Sequence, residues 1–273
     1  MRTPAAQRIT RTGILLALML FAVVPLLSMF TTALAAPGSS PQGLSWPADP
    51  HWHNFVDAWS TANFLPLFRS SALIVLGVVP ATVAMSTAAG YALAQLRVPG
   101  GKAIYAVLIV GLTLPVEALI TPLYYNIKSV GLLGTRLAII LPLIGLLMPF
   151  GVFWMRAHFL GAERALTEAA KIDGAGTWQT FRRIHLPLAV PALSALSVLF
   201  FLATWNQYLL PLVLVDDPTK RTVAGGLGAF QGQYGTDTVL LCAGSLLIIL
   251  PSLVIFLVFQ RNFVKALLQG AVK

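Results

Sequence analysis

Between Arg136 and Arg156 the chain reads Leu137-Ala138-Ile139-Ile140-Leu141-Pro142-Leu143-Ile144-Gly145-Leu146-Leu147-Met148-Pro149-Phe150-Gly151-Val152-Phe153-Trp154-Met155. No side chain in this stretch ionises. A helix needs about 20 mostly apolar residues to cross about 30 Å of hydrocarbon, and this run supplies them. It lacks the period-2 alternation of a membrane β-strand, so a helix is favoured. Five further windows of the same kind lie between the charges. They run from Gly13 to about Leu34, between Arg69 and Arg97, from Ala103 to about Tyr125, from Pro187 to before Asp216, and between Asp237 and Arg261. The fold class is therefore all-α, a polytopic membrane protein with six transmembrane helices. Pro25, Pro80, Pro115, Pro142, Pro149, Pro211 and Pro251 fall inside the windows. Neighbouring helices in a bundle can satisfy the backbone groups that proline frees, so kinked helices are expected.

Composition points the same way. The 273 residues are 57% hydrophobic and 10% charged, with mean hydropathy +0.81. Soluble domains are nearer 45–50% apolar and about 25% charged. There is too little charge here to solvate a compact soluble enzyme, and too much apolar surface for a disordered chain. Cys242 is the lone cysteine and lies in an apolar run, which leaves no internal disulfide and no cysteine metal cluster. It is read as a small buried hydrophobe.

The net charge of +9 and pI near 10.1 raise the question of nucleic acid. Placing both termini in the cytoplasm puts 13 of the 18 Lys and Arg residues inside, for a net +10 there and zero outside. The basic excess is then the positive-inside bias of a membrane protein. Aromatic platforms interleaved with Lys and Arg are absent, so nucleic acid is not expected as a partner. Arg2, Arg8, Arg11, an apolar run and Ala33-Leu34-Ala35-Ala36 imitate a secretory leader. The run of 22 residues from Gly13 to Leu34 exceeds the usual 7–15 of such a leader, and it is read as a retained first span.

Three regions follow. Residues 1–35 form a cytoplasmic segment and the first helix. Residues 36–68 form an external loop, in which His53 to Phe68 carries Phe55, Trp59, Phe64 and Phe68 at the spacing of an interfacial amphipathic helix. Residues 69–273 hold the other five helices and the most charged loop, 157–187.

That loop reads Glu163-Arg164-Ala165-Leu166-Thr167-Glu168-Ala169-Ala170-Lys171-Ile172-Asp173-Gly174-Ala175-Gly176-Thr177-Trp178-Gln179-Thr180-Phe181-Arg182-Arg183-Ile184-His185-Leu186-Pro187. Strong helix formers run to Asp173, and Gly174 is a C-terminal stop. Thr177 suits the N-cap of a second short helix. On it Trp178, Phe181 and His185 share a face at i, i+3 and i+7. Two short helices at the membrane surface result, with small Ala169, Ala170, Gly174 and Ala175 at the turn. Such a turn lets another protein approach the backbone; it equally suits a tightly packed intracellular loop.

The pattern Glu168-Ala169-Ala170, Gly174, Ile184 and Leu186-Pro187 resembles the EAA loop of ATP-binding-cassette importer permeases. Asp173, Ala175, Phe181, Pro187 and Pro191 extend the likeness to the carbohydrate branch. Ala88-Ala89-Gly90-Tyr91-Ala92-Leu93-Ala94-Gln95-Leu96-Arg97-Val98-Pro99-Gly100 and Trp205-Asn206 resemble further family segments. The C-terminal Gln260-Arg261-Asn262-Phe263-Val264-Lys265 is similar to that of MalG-like subunits. Glu163, Ser70-Ser71 and Ala266 depart from the family's usual Pro, Asn-Ser and Gly, and none touches Glu168–Gly174.

The resemblance implies an importer permease fold in a bacterial or archaeal cytoplasmic membrane. It implies a second permease subunit, two ATPase subunits and an extracytoplasmic substrate-binding protein, a lipoprotein, as partners. Glu168, Ala169, Ala170, Asp173, Gly174, Ala175 and Phe181 would form the ATPase-coupling element. The cargo would be a sugar or sugar derivative. This chain would bind no cofactor and no metal, with ATP and Mg held by the partner ATPases. Consistently, Gly101-Lys102 is followed by Ala103 and no Gly lies five residues before Gly101, so the P-loop pattern fails. Gly-x-Ser-x-Gly and His-Glu-x-x-His are also missing, and no enzyme activity is expected. His51 and His53 alone are too few for a metal site.

Five residues are candidates for the substrate pathway. Glu117 is the one ionisable group read as deep in a span, where an acid is functional by default; a structural hydrogen bond or an interfacial place are the other readings. Trp205, Asn206, Gln207 and Tyr208 offer an aromatic face and amides suited to sugars, or else bind helices together. A proton-coupled secondary transporter is the alternative function. It would need paired intramembrane acids and an inverted repeat, and only Glu117 is at hand.

Overall fold

The computed structural model describes residues 5–41, 43–162, 164–232 and 235–271. Twelve α-helices are defined among them: α1 Ala5–Ala33, α2 Asn54–Thr61, α3 Phe64–Gln95, α4 Gly101–Leu112, α5 Val116–Ser129, α6 Leu137–Leu160, α7 Arg164–Ile172, α8 Thr177–Thr180, α9 Leu186–Leu188, α10 Val190–Trp205, α11 Leu209–Leu214 and α12 Thr238–Ala271. Four helices are long and apolar enough to cross a membrane, Thr10–Ala33, Phe64–Gln95, Leu137–Leu160 and Thr238–Arg261; two bent pairs raise the count to six if each is one span. A two-residue hairpin pairs Gln231 with Thr236 and Gly232 with Gly235.

The chain divides into two units, the first comprising the described parts of 1–65 and 226–250. There the buried amide of Asn54 closes the C-terminal end of α1. Its Nδ2 donates to the carbonyls of Ala33 at 2.9 Å and Ala35 at 2.8 Å. These are orphan acceptors of a helix end, and the amide meets them where water is scarce. Phe30 meets Trp52 edge-on at 6.0 Å and Trp46 at a tilt at 6.4 Å, and Trp59, Phe64 and Phe230 form a second aromatic set. The expected interfacial helix over 53–68 is cut short. The helix α2 ends at Thr61, Asn63 takes a left-handed φ of 49°, and Phe64 already opens α3.

In the second unit, 66–225 with 251 onward, α6 is the hub, touched by α4, α5, α10 and α11. One cluster packs Ile74, Val78, Ile139, Leu143, Leu210 and Leu214. Another packs Tyr91, Met155, Phe159, Phe181, Leu196 and Phe200. The approach of α3 to α6 is set by glycine. A Cβ on Gly90 would lie 2.8 Å from Met155 Cβ and 2.9 Å from the Arg156 nitrogen. One on Gly151 would strike Ser86 Oγ and come within 2.9 Å of Phe200 Cζ. Small residues at such crossings let backbones close on each other and gain dispersion contact.

The third and fifth windows are not single straight spans. The helices α4 and α5 meet at 106° across Thr113-Leu114-Pro115. Pro115 has no N–H to continue the ladder, its ψ of 130° is extended, and it pushes Leu114 out of the helical region. The segment Thr177–Leu188 meets α10 at 71°, with Pro187 and Pro191 on either side of the bend. A further break at Asn206–Tyr208 separates α10 from α11. Pro25, Pro80, Pro122, Pro142, Pro149 and Pro251 stay inside continuous helices.

Gly151→Leu should remove more than ~3 kcal/mol and abolish a monodisperse detergent-purified protein, because overpacking a rigid crossing finds no relief. Gly145→Ala, at a site with open space around it, should leave the melting temperature unchanged. Equal melting curves for the two variants would refute the crossing described here.

Candidate functional site

The nine-residue α7 ends in a Schellman motif. Ala175 N–H donates to the Ala170 carbonyl at 2.8 Å, and Gly174 N–H donates to the Lys171 carbonyl at 3.1 Å. Gly174 sits at φ +77°, where an L side chain costs about 1–2 kcal/mol. The glycine stop read from the sequence is therefore a complete C-cap. The second cap is shifted by one residue from expectation. Gly176, not Thr177, is the N-cap of α8, because its ψ of 164° is extended while Thr177 is already helical. Gln179 Oε1 accepts from the Gly176 N–H at 3.2 Å, so the N3 side chain does the capping that a glycine cannot.

From α8 the chain passes through a turn of π-helix, Phe181–His185, into α9. Phe181 and His185 turn inward. Tyr91 of α3 lies 4.7 Å from the Phe181 ring and 5.3 Å from that of His185, and Phe159 of α6 lies 5.4 Å from Tyr91. The Thr167 hydroxyl and His185 Nε2 share a hydrogen bond of 3.0 Å. Gln95 Nε2 donates to the Phe159 carbonyl at 2.6 Å, and Trp154 Nε1 donates to the Ala192 carbonyl at 3.2 Å. The turn Phe181–His185 thus rests on an aromatic floor built by α3 and α6, and the Thr167–His185 bond ties α7 to it.

The outer surface of the pair is apolar as well as charged. Ile172 is 86% exposed and Trp178 67% exposed, with Leu166 and Ala169 exposed beside them. Glu168, Lys171, Asp173, Arg182 and Arg183 are exposed too, whereas Ala170 is buried and Ala175 half-buried. Trp178 departs from the expected common face with Phe181 and His185. Its ring keeps contact with Phe181 at 5.5 Å, but it stands in the first turn of α8, beyond the packed rings.

The pathway candidates separate. Glu117 does not lie deep in a continuous span. It occupies the first turn of α5, just past the 106° break, and is exposed. A carboxylate there faces the positive end of the helix dipole. Trp205 is buried, edge-on to Phe68 at 5.6 Å and stacked on Phe201 at 5.5 Å. Asn206 is exposed and folds its Nδ2 back onto the Leu202 carbonyl at 2.9 Å. Gln207 is half-buried, and its carbonyl accepts from the Thr222 hydroxyl. Tyr208 is exposed at the entrance of α11.

A polar clamp escaped the sequence reading. Buried Ser70 donates to the Lys220 carbonyl at 2.8 Å and accepts from Arg136 Nε at 2.9 Å. Buried Ser71 accepts from the Val223 N–H at 2.6 Å. Arg221 Nε donates to the Val215 carbonyl at 2.8 Å. The two serine bonds fasten residues 220–223 to the start of α3, Arg136 ties that point to the start of α6, and Arg221 braces the loop internally. In the same loop the Thr219 hydroxyl and N–H both donate to Asp217 Oδ1, at 2.7 and 3.0 Å, and hold that carboxyl below its usual pKa. Two hydroxyls opening an apolar window were the one available signal.

Known proteins share this sequence and architecture. Residues 86–269 match the family described as binding-protein-dependent transport system inner membrane component. The chain is 33% identical over 259 residues to the diacetylchitobiose uptake system permease protein NgcG of Streptomyces coelicolor, covering 93% of this chain and 86% of that one. It is 31% identical over 255 residues to the trehalose transport system permease protein SugB of Mycobacterium tuberculosis, covering 93% of each. Its fold superposes on a subunit of a bacterial ABC transporter involved in import of the acidic polysaccharide alginate, with TM-score 0.78, 20% identity and coverage of 96% and 99% of the two chains. The chain belongs to the binding-protein-dependent inner membrane component family and is a permease subunit of an ATP-binding-cassette importer.

Proposed function

We propose that the chain carries a sugar or sugar derivative inward together with a second permease, two ATPase subunits that hold ATP and Mg, and an extracytoplasmic binding protein, and that α7 is where an ATPase docks. The relatives named for diacetylchitobiose and trehalose support the cargo class. The observation that carries the docking assignment is the exposed pair Ile172, beside Glu168 at the capped C-terminal end of α7, and Trp178, in the first turn of α8. Apolar side chains held this far into water fit the anchor residues of a protein interface. Glu168 supplies a charge-assisted hydrogen bond to the ATPase surface, worth about 1.5–3 kcal/mol once covered. Asp173, Ala169 and Ala175 shape the contact, Gly174 turns the chain, and Ala170 and Phe181 seat it on the bundle.

In this reading the core permease domain is 69–273, and both termini and α7 face the cytoplasm. ATP-driven closure of the ATPases moves α7. That motion passes to α6 and α10, and the gate between them changes sides. Glu117, Asn206 and Tyr208 offer exposed polar groups at breaks in apolar helices, where sugar hydroxyls find partners. Trp205 and Gln207 support that wall from behind.

Glu168→Lys and Gly174→Asp should each abolish uptake while membrane insertion stays intact, and Ile172→Asp should cut co-purification of the ATPase at least tenfold. Uptake at the unmodified level in both of the first two variants would overturn the docking reading. In a Cys242→Ser background, Ser39→Cys should react with an impermeant maleimide in intact cells, and Lys171→Cys only after permeabilisation. The reverse pattern would overturn the orientation. Mass spectrometry of the sugar released from the co-purified binding protein tests the cargo class, which a non-carbohydrate would refute.

A further inference from the structure

A helix of nine residues is too short to hold its shape in water alone, where isolated helices below about 12–15 residues are marginal. The anchorage of α7 to the protein is thin. Ala170 buries only a methyl group, Thr167 is half-buried, and the neighbouring Leu166, Glu168, Ala169, Lys171 and Ile172 face outward. The polar bond from Thr167 to His185 supplies what apolar packing does not. His185 is 1% exposed, walled by Tyr91 at 5.3 Å and Phe159 at 6.1 Å. A ring nitrogen so placed needs a partner, since a buried polar atom without one loses its water and gains nothing. The Thr167 hydroxyl is that partner across 18 positions of sequence.

The bond also lies on a continuous path. The His185 carbonyl accepts from the Ala189 N–H at 3.0 Å, at the bend that leads into α10. One turn on, the Ala192 carbonyl holds Trp154 of α6. Through the rings around His185 the same point touches α3 at Tyr91 and the end of α6 at Phe159, where Gln95 clasps the carbonyl. A displacement of α7 reaches three long helices without crossing a flexible link.

We propose that the Thr167–His185 hydrogen bond is a strut that joins α7 and the returning segment 177–188 into one rigid body. Its mechanical purpose rests on the docking reading above. Thr167 and His185 are positioning residues, acting through α7 and not on ATP or cargo.

The test is amide hydrogen exchange on the whole transporter, purified with its partner subunits in nanodiscs. Thr167→Val keeps the branched shape and deletes the hydroxyl; it should speed exchange of the amides of residues 168–175 at least tenfold. Thr167→Ser, which restores the hydroxyl, should return exchange to within twofold of the unmodified protein. His185→Phe keeps a ring and should match Thr167→Val. If His185→Phe does not assemble, Thr167→Val and Thr167→Ser still decide the matter. The stimulation of Mg-ATP turnover by the binding protein, measured in the same preparations, should fall at least fivefold in Thr167→Val and recover in Thr167→Ser. Exchange within twofold in Thr167→Val would overturn the strut, as would equal exchange in the Val and Ser variants. Unmodified uptake in both Glu168→Lys and Gly174→Asp would instead refute the docking reading, and the exchange result would stand apart from it.

Discussion

Hydrocarbon offers no hydrogen bonds, and the breaks described in the apolar helices of this chain are arranged around that fact. Each unpaired N–H or C=O in a bilayer costs several kcal/mol, so a helix breaks only where its freed groups find other partners. At Asn206–Tyr208 the partners are local: the Asn206 amide returns to Leu202, the Gln207 N–H goes to Thr204 at 3.3 Å, and Thr222 covers the Gln207 carbonyl. At Thr113–Pro115 the Thr113 hydroxyl donates to the Val110 carbonyl at 2.8 Å. At the end of α1 a single asparagine serves two carbonyls. The breaks are thus built with compensation, and they are the places where polar groups stand exposed along otherwise apolar helices.

The same economy governs the short helices. They lie outside the four continuous apolar helices and carry exposed charge, and the turn that follows them, Phe181–His185, packs on aromatic rings. Caps on both sides of the turn between them define it: the Schellman closure at Gly174 ends α7 and the Gln179 side chain over Gly176 starts α8. A lever needs a defined end more than it needs length.

Much of this was legible in sequence because it depends on composition and local pattern. Charge-free runs gave the long helices, and Gly174 announced the end of α7. The EAA-type spacing brought family and fold together. What escaped depends on events between distant residues or between similar ones. The break inside 101–129 lies within one mostly apolar window, so hydropathy passes over it, and Pro115 reads the same whether it kinks a helix or ends one. The helical wheel that grouped Trp178 with Phe181 and His185 assumed a uniform turn, whereas the segment changes pitch at Phe181 and Trp178 projects past the packed floor. Gly176 was overlooked as an N-cap because glycine has no side chain to cap with, and the work fell to Gln179. Ser70 and Ser71 looked like a substitution for Asn-Ser, and only their partners 150 and 152 positions away reveal the clamp.

Among the described residues, none covers Ile172 or Trp178 fully. On the proposed reading the cover is another gene product. A copy made in excess of its ATPase therefore displays a greasy knuckle of the kind that chaperones grip and proteases follow. Quality control could count subunits by this surface alone, and balanced synthesis of the transporter would be enforced by the disposal of orphans.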